Sequence, residues 1–329
     1  MSRLGISGLD PVLEKELLEG MDKVEALLRS HIIGEYPFVV ETSRHLVEAG
    51  GKRLRPMLTL LASHFGDSTR REVIEAAVVC ELTHLATLYH DDVMDEAPKR
   101  RGVESANKRW DNSIAILTGD YLFAKTSLML AGLGPDAVRL HAITFERLVI
   151  GQICETQGST PGLTMLDHYL KVVADKTGSL IAASAHYGAQ VSGADQNTID
   201  ILSAYGEKIG VVFQLADDII DIASTTFESG KTPGTDLREG VPTLVTLFIL
   251  ESQDPADADL KKLLSAPITD EAIVESTLAT LRGHKALQQA RELVESYAAQ
   301  AVELLKPLAD GPAKDALVEL SNAVITRTA

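Results

Sequence analysis

Apolar residues recur at three- and four-residue intervals along nearly the whole chain, the period of a helix that buries one face. Leu13, Leu17, Leu18, Val24, Leu27 and Leu28 set this pattern for a first helix over about 10–31. The same spacing predicts helices over roughly 37–49, 55–65, 71–95, 113–133, 135–157 and 165–191. Two more are predicted over 195–223 and 242–253, with a helical tail from 270. Turn residues punctuate the joins, as at Gly50-Gly51, Gly66-Asp67, Gly134-Pro135, 158–162, 230–234 and Gly311-Pro312. No stretch alternates apolar and polar residues as a strand does, and no Pro- or Ser-rich linker divides the chain. The expectation is a single all-α domain of ten or more helices over residues 1–329.

Composition sharpens this picture. Hydrophobic residues make up 45% of the chain and aromatics only 5%, so aliphatic side chains and alanine must fill the core. Lys and Arg number 31 against 47 Asp and Glu, a net charge of −16, which disfavours a nucleic-acid partner. The first twenty residues carry early acids and no apolar leader core. The longest stretch without Asp, Glu, Lys or Arg, 177–194, holds three glycines and three serines and reads as a packed internal helix rather than a membrane span. Cys80 and Cys154 fall inside helical patterns, not a disulfide framework. A cytoplasmic protein without a membrane span is expected.

Two segments repeat one chemical idea. LATLYHDDVMD (85–95) and VVFQLADDIID (211–221) are apolar helices that end in D-D-x-x-D. Residues i and i+4 share a helix face about 5.4 Å apart along the axis, so Asp91 pairs with Asp95, and Asp217 with Asp221. Carboxylates crowded at the negative end of a helix dipole are unfavourable unless they gain protons or bind cations. Mg²⁺ takes hard oxygen ligands and is commonly shared with substrate phosphates. The bland alternative, a solvated acidic helix end, suits one such motif better than two.

Cations cluster near both motifs. Gly50-Gly51-Lys52-Arg53-Leu54-Arg55-Pro56 puts three cations at a loop-to-helix junction, where two glycines permit close backbone approach. Lys99-Arg100-Arg101-Gly102 follows the first acidic motif. Lys176-Thr177-Gly178 falls where the 165–191 helix is interrupted, and Lys231 comes ten residues after Asp221. In so acidic a chain, these groups point to an anion bridged by metal ions. His84 lies two turns before Asp91 on nearly the same face and is a candidate ligand contact. His90 reads as structural.

GGKRLRP (50–56), HLATLYHDDVMD with the following KRRG (84–102), KTGSL (176–180), FQLADDIID (213–221) and GKTPGTDL (230–237) together resemble the ordered motifs of the trans-prenyltransferases, the isoprenyl diphosphate synthases. The resemblance spans residues 50 to about 240. It implies an all-α bundle around a central cavity, usually a homodimer, that condenses isopentenyl diphosphate head-to-tail onto an allylic diphosphate. It further implies up to three Mg²⁺ ions per site. By the same resemblance, Asp91 and Asp95 are ligands to two of them and Asp217 to the third, while Asp92, Asp218 and Asp221 act through water or as supports. Arg100, Lys176 and Lys231 resemble the cations on the allylic diphosphate. Lys52, Arg55, His84 and Arg101 resemble the isopentenyl diphosphate site. Thr177 and Gln214 resemble the polar groups beside the developing carbocation. The chain departs from the family at Val241, where a second lysine is common; Arg238 is nearby.

In this family, bulk four or five residues before the first aspartate stops elongation early. Those positions are Thr87 and Ala86, and Thr83, Val79 and Ala76 continue the face. None is aromatic or leucine, and each turn opens about 5.4 Å of depth, roughly one isoprene unit. A long product is expected, about C30 to C50, of the kind used for quinone side chains and compatible with release at a membrane surface. A C20 product is the alternative. Phe123, Phe145 or Met129 on other helices are candidates for a tunnel floor. A class I terpene cyclase would lack the second aspartate motif and GGKRLRP. A non-catalytic partner subunit would have lost an aspartate motif. A plain helical interaction protein needs neither acidic nor basic motifs.

Overall fold

Asp10 starts the first helix. Its carboxylate accepts the N–H groups of Val12 and Leu13 at 2.9 and 3.0 Å, and Pro11 occupies the first helical position, where no N–H is needed. In the computed structural model, which describes Ile6, residues 8–224 and residues 233–327, this helix, α1, runs Pro11–His31. There follow α2 (Pro37–Glu48), α3 (Leu54–Ser63), α4 (Arg71–Met94), a two-residue antiparallel pair β1 (Lys99–Arg100) and β2 (Val103–Glu104), α5 (Ala106–Arg109), α6 (Asn112–Leu133) and α7 (Pro135–Gln157). The chain continues with α8 (Met165–Val173), a π-helical turn (Ala174–Gly178), α9 (Ser179–Ser192), α10 (Gln196–Ala223) and α11 (Thr235–Glu239). It closes with α12 (Leu244–Leu250), α13 (Ala258–Leu264), α14 (Glu271–Arg282), α15 (Lys285–Leu304) and α16 (Pro312–Thr326).

The all-α expectation holds, and most predicted helix ends fall within a residue or two of the observed ones. The differences are local. The interruption expected at Lys176-Thr177-Gly178 takes the form of a π-helical turn that divides the 165–191 helix. The 242–253 helix shrinks to α12. The hairpin and the short α5, α11 and α13 hold too few residues to show a period. α11 is confined by Gly234 and Gly240, both at positive φ (78° and 71°).

The described residues cluster into two compact units that interleave along the chain. One draws on residues 1–145, 180–206 and 307–317, the other on 146–179, 207–306 and 318–329.

In the first unit, α4 is the centre. Val73, Ala76–Leu82, Leu85, Ala86, Leu88 and Tyr89 are buried around its whole circumference, and α1, α3, α5 and α6 pack against it. A helix apolar on every side must be enclosed. Its buried tyrosine ends on a carbonyl: the Tyr89 hydroxyl donates to Thr42 O at 2.5 Å. Tyr187 and Tyr205 likewise donate to Ala137 O and Leu317 O. Among the described residues, α6 is the one helix long and apolar enough to cross a membrane by length and composition, a segment other than the 177–194 stretch singled out above; it carries Asp120 and Lys125 and packs on α2, α4 and α5.

In the second unit, α12 packs on α8, α13 and α15. Leu244, Val245, Leu247 and Ile249 of α12 are buried, and so are Ala290, Val294, Ala298 and Ala301 of α15. A buried Val or Leu contributes about 1.5–3 kcal/mol of burial free energy, so such faces fix these helices firmly.

Candidate active site

The first acidic motif lies where the sequence places it. Asp91 and Asp92 fall in the last turn of α4, and Asp95 is its C-cap. The three carboxylates differ in burial: Asp92 is fully buried, Asp91 partly, and the Asp95 side chain is 45% exposed. Arg100 folds back onto them, with Nε donating to Asp92 Oδ1 at 2.6 Å and Nη2 3.8 Å from Asp95 Oδ2. Burial raises the Asp92 pKa, and Arg100 opposes that shift. The second oxygen of Asp92, Oδ2, is buried without a hydrogen-bond partner.

The hairpin turns at Arg101 and Gly102, both at positive φ (52° and 79°), the sign pattern of the tight two-residue turns that favour glycine or asparagine. A left-handed backbone at arginine costs on the order of 1 kcal/mol, and something must hold it. The Arg101 guanidinium donates to Leu46 O at 3.0 Å, to Gly50 O, and from Nη2 to Glu81 Oε1 at 3.5 Å. It lies flat against Gly51 (φ 143°), where a Cβ would stand 2.8 Å from Cζ. The close approach expected at Gly50-Gly51 is thus made by an arginine of the other cationic motif.

The three cations of GGKRLRP take different environments. Lys52 is exposed. Arg53, also left-handed (φ 50°), turns inward: Nε donates to Glu25 at 2.5 Å, Nη1 to Glu81 at 2.7 Å, and Nη2 to Val47 O at 3.0 Å. Burial works against its charge, but Glu81 and Glu25 overcome this and raise its pKa. Arg55 has a buried Nε with no hydrogen-bond partner, and burial lowers its pKa. His84 belongs to the same cluster. Burial, reinforced by Arg55, Arg101, Arg100 and Arg53, holds its imidazole well below the usual histidine range, so it is neutral at pH 7. Lys52 apart, the residues matched to the isopentenyl diphosphate site share one electropositive, partly desolvated neighbourhood.

The proposed chain-length face is internal. Ala76, Val79, Thr83, Ala86 and Thr87 are all buried on α4. Thr83 and Thr87 spend their hydroxyls on the carbonyls of Val79 and His84, so the face presents methyl groups. Gly119 of α6 packs against Ala86 O and the His90 ring. Phe123 stacks at a tilt between His90 (5.7 Å) and Phe145 (4.6 Å), and Met129 is buried. His90 accepts this packing role and bonds Ile116 O at 3.1 Å.

In the second unit, the π-helical turn breaks the regular ladder at Lys176 and Thr177. Arg147 and Lys171 grip its Asp175 at 3.0 and 2.7 Å, and Arg147 also bonds Glu207 at 2.8 Å. The Lys176 ammonium pairs with Glu155. Thr177 Oγ1 donates to Gln214 Oε1 at 3.4 Å, and Gln214 Nε2 donates to Asp218 Oδ1 at 3.0 Å. Asp218 is buried and also accepts from the Tyr169 hydroxyl and from Leu244 N at 3.3 Å. Burial lifts its pKa to about 6 against those hydrogen bonds. Asp221 accepts the N–H groups of Thr235 and Asp236, each at 3.3 Å, and so ties down the start of α11. Asp217 is the outward member, 46% exposed, and meets Arg327 at 2.8 Å. The middle aspartate of each motif, Asp92 and Asp218, is thus a buried anchor. Lys231 lies outside the described residues. Val241 is exposed, and Arg238 is committed to Glu271 at 2.7 and 2.8 Å.

The acidic residues offer only oxygen donors, with Asp91 and Asp95 one turn apart and the partnerless Oδ2 of Asp92 beside them, which fits a hard divalent cation. Among the described residues, no group of three His, Cys, Asp or Glu side chains is placed to hold a metal ion. An ion here would complete its shell with water and substrate oxygens, as Mg²⁺ does.

Several site residues escaped the motif reading. Glu81 is a lone acid inside an apolar run, a signal that could have marked it. Tyr169, Glu155, Arg147 and Arg327 carry no local pattern that separates them from surface residues.

The polyprenyl synthetase family model matches residues 37–281. The chain is 44% identical over 324 residues to a nonaprenyl diphosphate synthase of Mycobacterium tuberculosis, covering 98% of this chain and 97% of that one. Its fold matches the crystal structure of a geranylgeranyl pyrophosphate synthase from Corynebacterium glutamicum complexed with calcium and isoprenyl diphosphate (TM-score 0.87, 44% identity, 97% and 98% coverage). It also matches a decaprenyl diphosphate synthase from Rhodobacter capsulatus (TM-score 0.87, 32% identity, 96% and 98% coverage).

Proposed function

The chain belongs to the polyprenyl synthetase family and is a trans-prenyltransferase, and from that premise we propose that it joins isopentenyl diphosphate head-to-tail to an allylic diphosphate, giving an all-trans product of about C30 to C50. The observation that carries the reading is the end of α4. Oxygen donors at Asp91 and Asp95 stand in the same unit as a cationic cluster whose Arg55 Nε has no partner. Metal-binding oxygens and surplus buried positive charge together suit a pair of diphosphates.

Asp91, Asp95 and Asp217 would hold up to three Mg²⁺ ions, with Asp92, Asp218 and Asp221 supporting them. Bound there, Mg²⁺ supplies Lewis-acid stabilisation of the leaving diphosphate. Arg100, Lys176 and Lys231 bind the allylic diphosphate, and Lys176 exchanges Glu155 for it. Lys52, Arg55, His84 and Arg101 bind isopentenyl diphosphate, with neutral His84 as a hydrogen-bonding partner rather than a charge. As the allylic C–O bond breaks, the Thr177 and Gln214 oxygens face the developing cation, held by the line of hydrogen bonds that ends on Asp218. The isopentenyl double bond attacks, and the departing diphosphate takes the proton from the adjacent carbon. The apolar lining keeps water from the cation.

The methyl-faced stripe on α4 supports the long product, and so does the likeness to the M. tuberculosis nonaprenyl diphosphate synthase. A C20 product is the second reading, favoured by the equal likeness to the C. glutamicum geranylgeranyl pyrophosphate synthase. We further propose one catalytic domain, a cytoplasmic location and a homodimer. The dimer is supported by Leu117, Leu128 (71% exposed), Ala124 and Ala131, an exposed apolar stripe along α6.

The test is incubation of the purified chain with Mg²⁺, isopentenyl diphosphate and farnesyl diphosphate, with mass analysis of the dephosphorylated products. Diphosphate release with a lengthened prenyl alcohol is expected. Hydrocarbon release would mark a cyclase, and absence of turnover a partner subunit or scaffold.

A further inference from the structure

Glu81 lies on α4 three residues before His84 and is 1% exposed, an acid between Cys80 and Leu82 in a helix buried around its whole circumference. A carboxylate is not buried there for packing. Its Oε1 faces Arg53 Nη1 at 2.7 Å and Arg101 Nη2 at 3.5 Å. These partners are two of the three described non-glycine residues with positive φ (50° and 52°). They come from separate elements: Arg53 caps α3 and Arg101 forms the tip of the hairpin. The same two guanidinia also bind carbonyls of the last turn of α2 and of the loop that precedes Lys52, Arg53 at Val47 O and Gly50 O, Arg101 at Leu46 O and Gly50 O. One buried charge thereby fixes the α2–α3 loop, the start of α3 and the hairpin tip to α4.

We propose that Glu81 is a positioning residue for isopentenyl diphosphate, holding Arg53 and Arg101 in their left-handed conformations so that Arg55 and Arg101 converge beside His84. This rests on the reading that Lys52, Arg55, His84 and Arg101 bind that substrate. Glu81 does not touch the diphosphate itself. It offsets part of the charge of Arg53, Arg55 and Arg101 and leaves the remainder, including the Arg55 Nε that has no hydrogen-bond partner, for an anion. Arg53, bonded to Glu25, Glu81 and carbonyls, is a strut; Arg101 makes the longer contact to Glu81 beside its bonds to Leu46 O and Gly50 O. A glutamine at position 81 can keep an amide oxygen in the place of Oε1 but carries no negative charge, so both guanidinium contacts weaken and the longer one, to Arg101 at the hairpin tip, is released first.

The experiment is calorimetric titration of the full chain with isopentenyl diphosphate, and separately with farnesyl diphosphate and Mg²⁺, for wild type, Glu81→Gln and Glu81→Asp. Glu81→Gln should weaken isopentenyl diphosphate binding by about tenfold or more, while farnesyl diphosphate affinity stays within about twofold. Glu81→Asp, which keeps the charge, should recover part of the loss, and it serves as the test if the glutamine variant does not fold. Equal weakening for both substrates would mean general loosening and would overturn the positioning role. So would unchanged isopentenyl diphosphate binding, with the prenyltransferase reading left standing. Failure of the wild type to bind isopentenyl diphosphate would overturn the assignment of the four site residues and this role with it.

Discussion

Nη2 of Arg327, at the end of α16, donates to Oδ1 of Asp217 at 2.8 Å, and its guanidinium lies 5.8 Å from the centre of the Phe213 ring. Phe213 and Asp217 are one turn apart on α10, so the arginine lies along a ridge that ends on a proposed metal ligand. A cation and Mg²⁺ would compete for that carboxylate. Half-exposed ion pairs are worth about 0.2–1 kcal/mol, which converts to a factor of roughly 1.5 to 5 in affinity. Arg327→Gln should therefore lower the Mg²⁺ concentration at half-maximal rate by about that factor. A rise in the Mg²⁺ requirement would show that Arg327 assists metal loading instead.

Asp91→Ala and Asp217→Ala should each reduce turnover by about a hundredfold to a thousandfold or more, because each removes stabilisation of the leaving diphosphate. Asp217 is half-exposed and paired with Arg327, so its loss should move stability by no more than about 1 kcal/mol. Steady-state rates paired with thermal melts check this. Near-normal rates in either variant would remove that residue from the metal site.

Ala86→Phe should shorten the product. The residue is fully buried, and its carbonyl packs against Gly119, so a benzyl side chain must displace tunnel volume or neighbours. Overpacking costs about 1–3 kcal/mol, and the melting temperature should fall as well. Chromatography of the dephosphorylated products reads the outcome. An unchanged distribution would show that this face does not line the elongation path.

His84 sets a pH dependence. Its pKa is held well below 6.5 in the folded chain by burial and four arginines, while the unfolded chain titrates near 6.5. A depressed folded value means that the stability it contributes is present above pH 6.5 and is lost as pH falls toward the folded value. Each pH unit in that window removes up to about 1.4 kcal/mol. Denaturant midpoints at pH 7.5 and 5.5 should show a larger loss for wild type than for His84→Gln. Equal losses would place the imidazole in water.

The helices were legible because an amphipathic period survives wherever one face meets solvent. Around α4 the apolar residues occupy every face, so the spacing marked a helix there but not which of its faces the site uses. The two D-D-x-x-D ends were legible as carboxylates one turn apart. Their division of labour was not, because the burial of Asp92 and Asp218 depends on Arg100 and on Tyr169, the latter 49 residues away from its partner. Lys52, Arg53 and Arg55 read alike as three cations in four positions. Only the left-handed turn at Arg53, which no residue type at that position announces, sends one inward to Glu25 and Glu81. The interruption at Lys176-Thr177-Gly178 was visible in the sequence, but its π-helical form and the pairing of Arg147 with Asp175 and Glu207 beside it were not.

The most direct measurement is a crystal structure of the chain with Mg²⁺ and an unreactive thio analogue of an allylic diphosphate. The account predicts a diphosphate whose oxygens share divalent ions with Asp91 and Asp95 and whose apolar tail follows Ala86, Thr83 and Val79. A diphosphate bound with no divalent ion on Asp91 or Asp95, or a tail directed away from that face of α4, would contradict it.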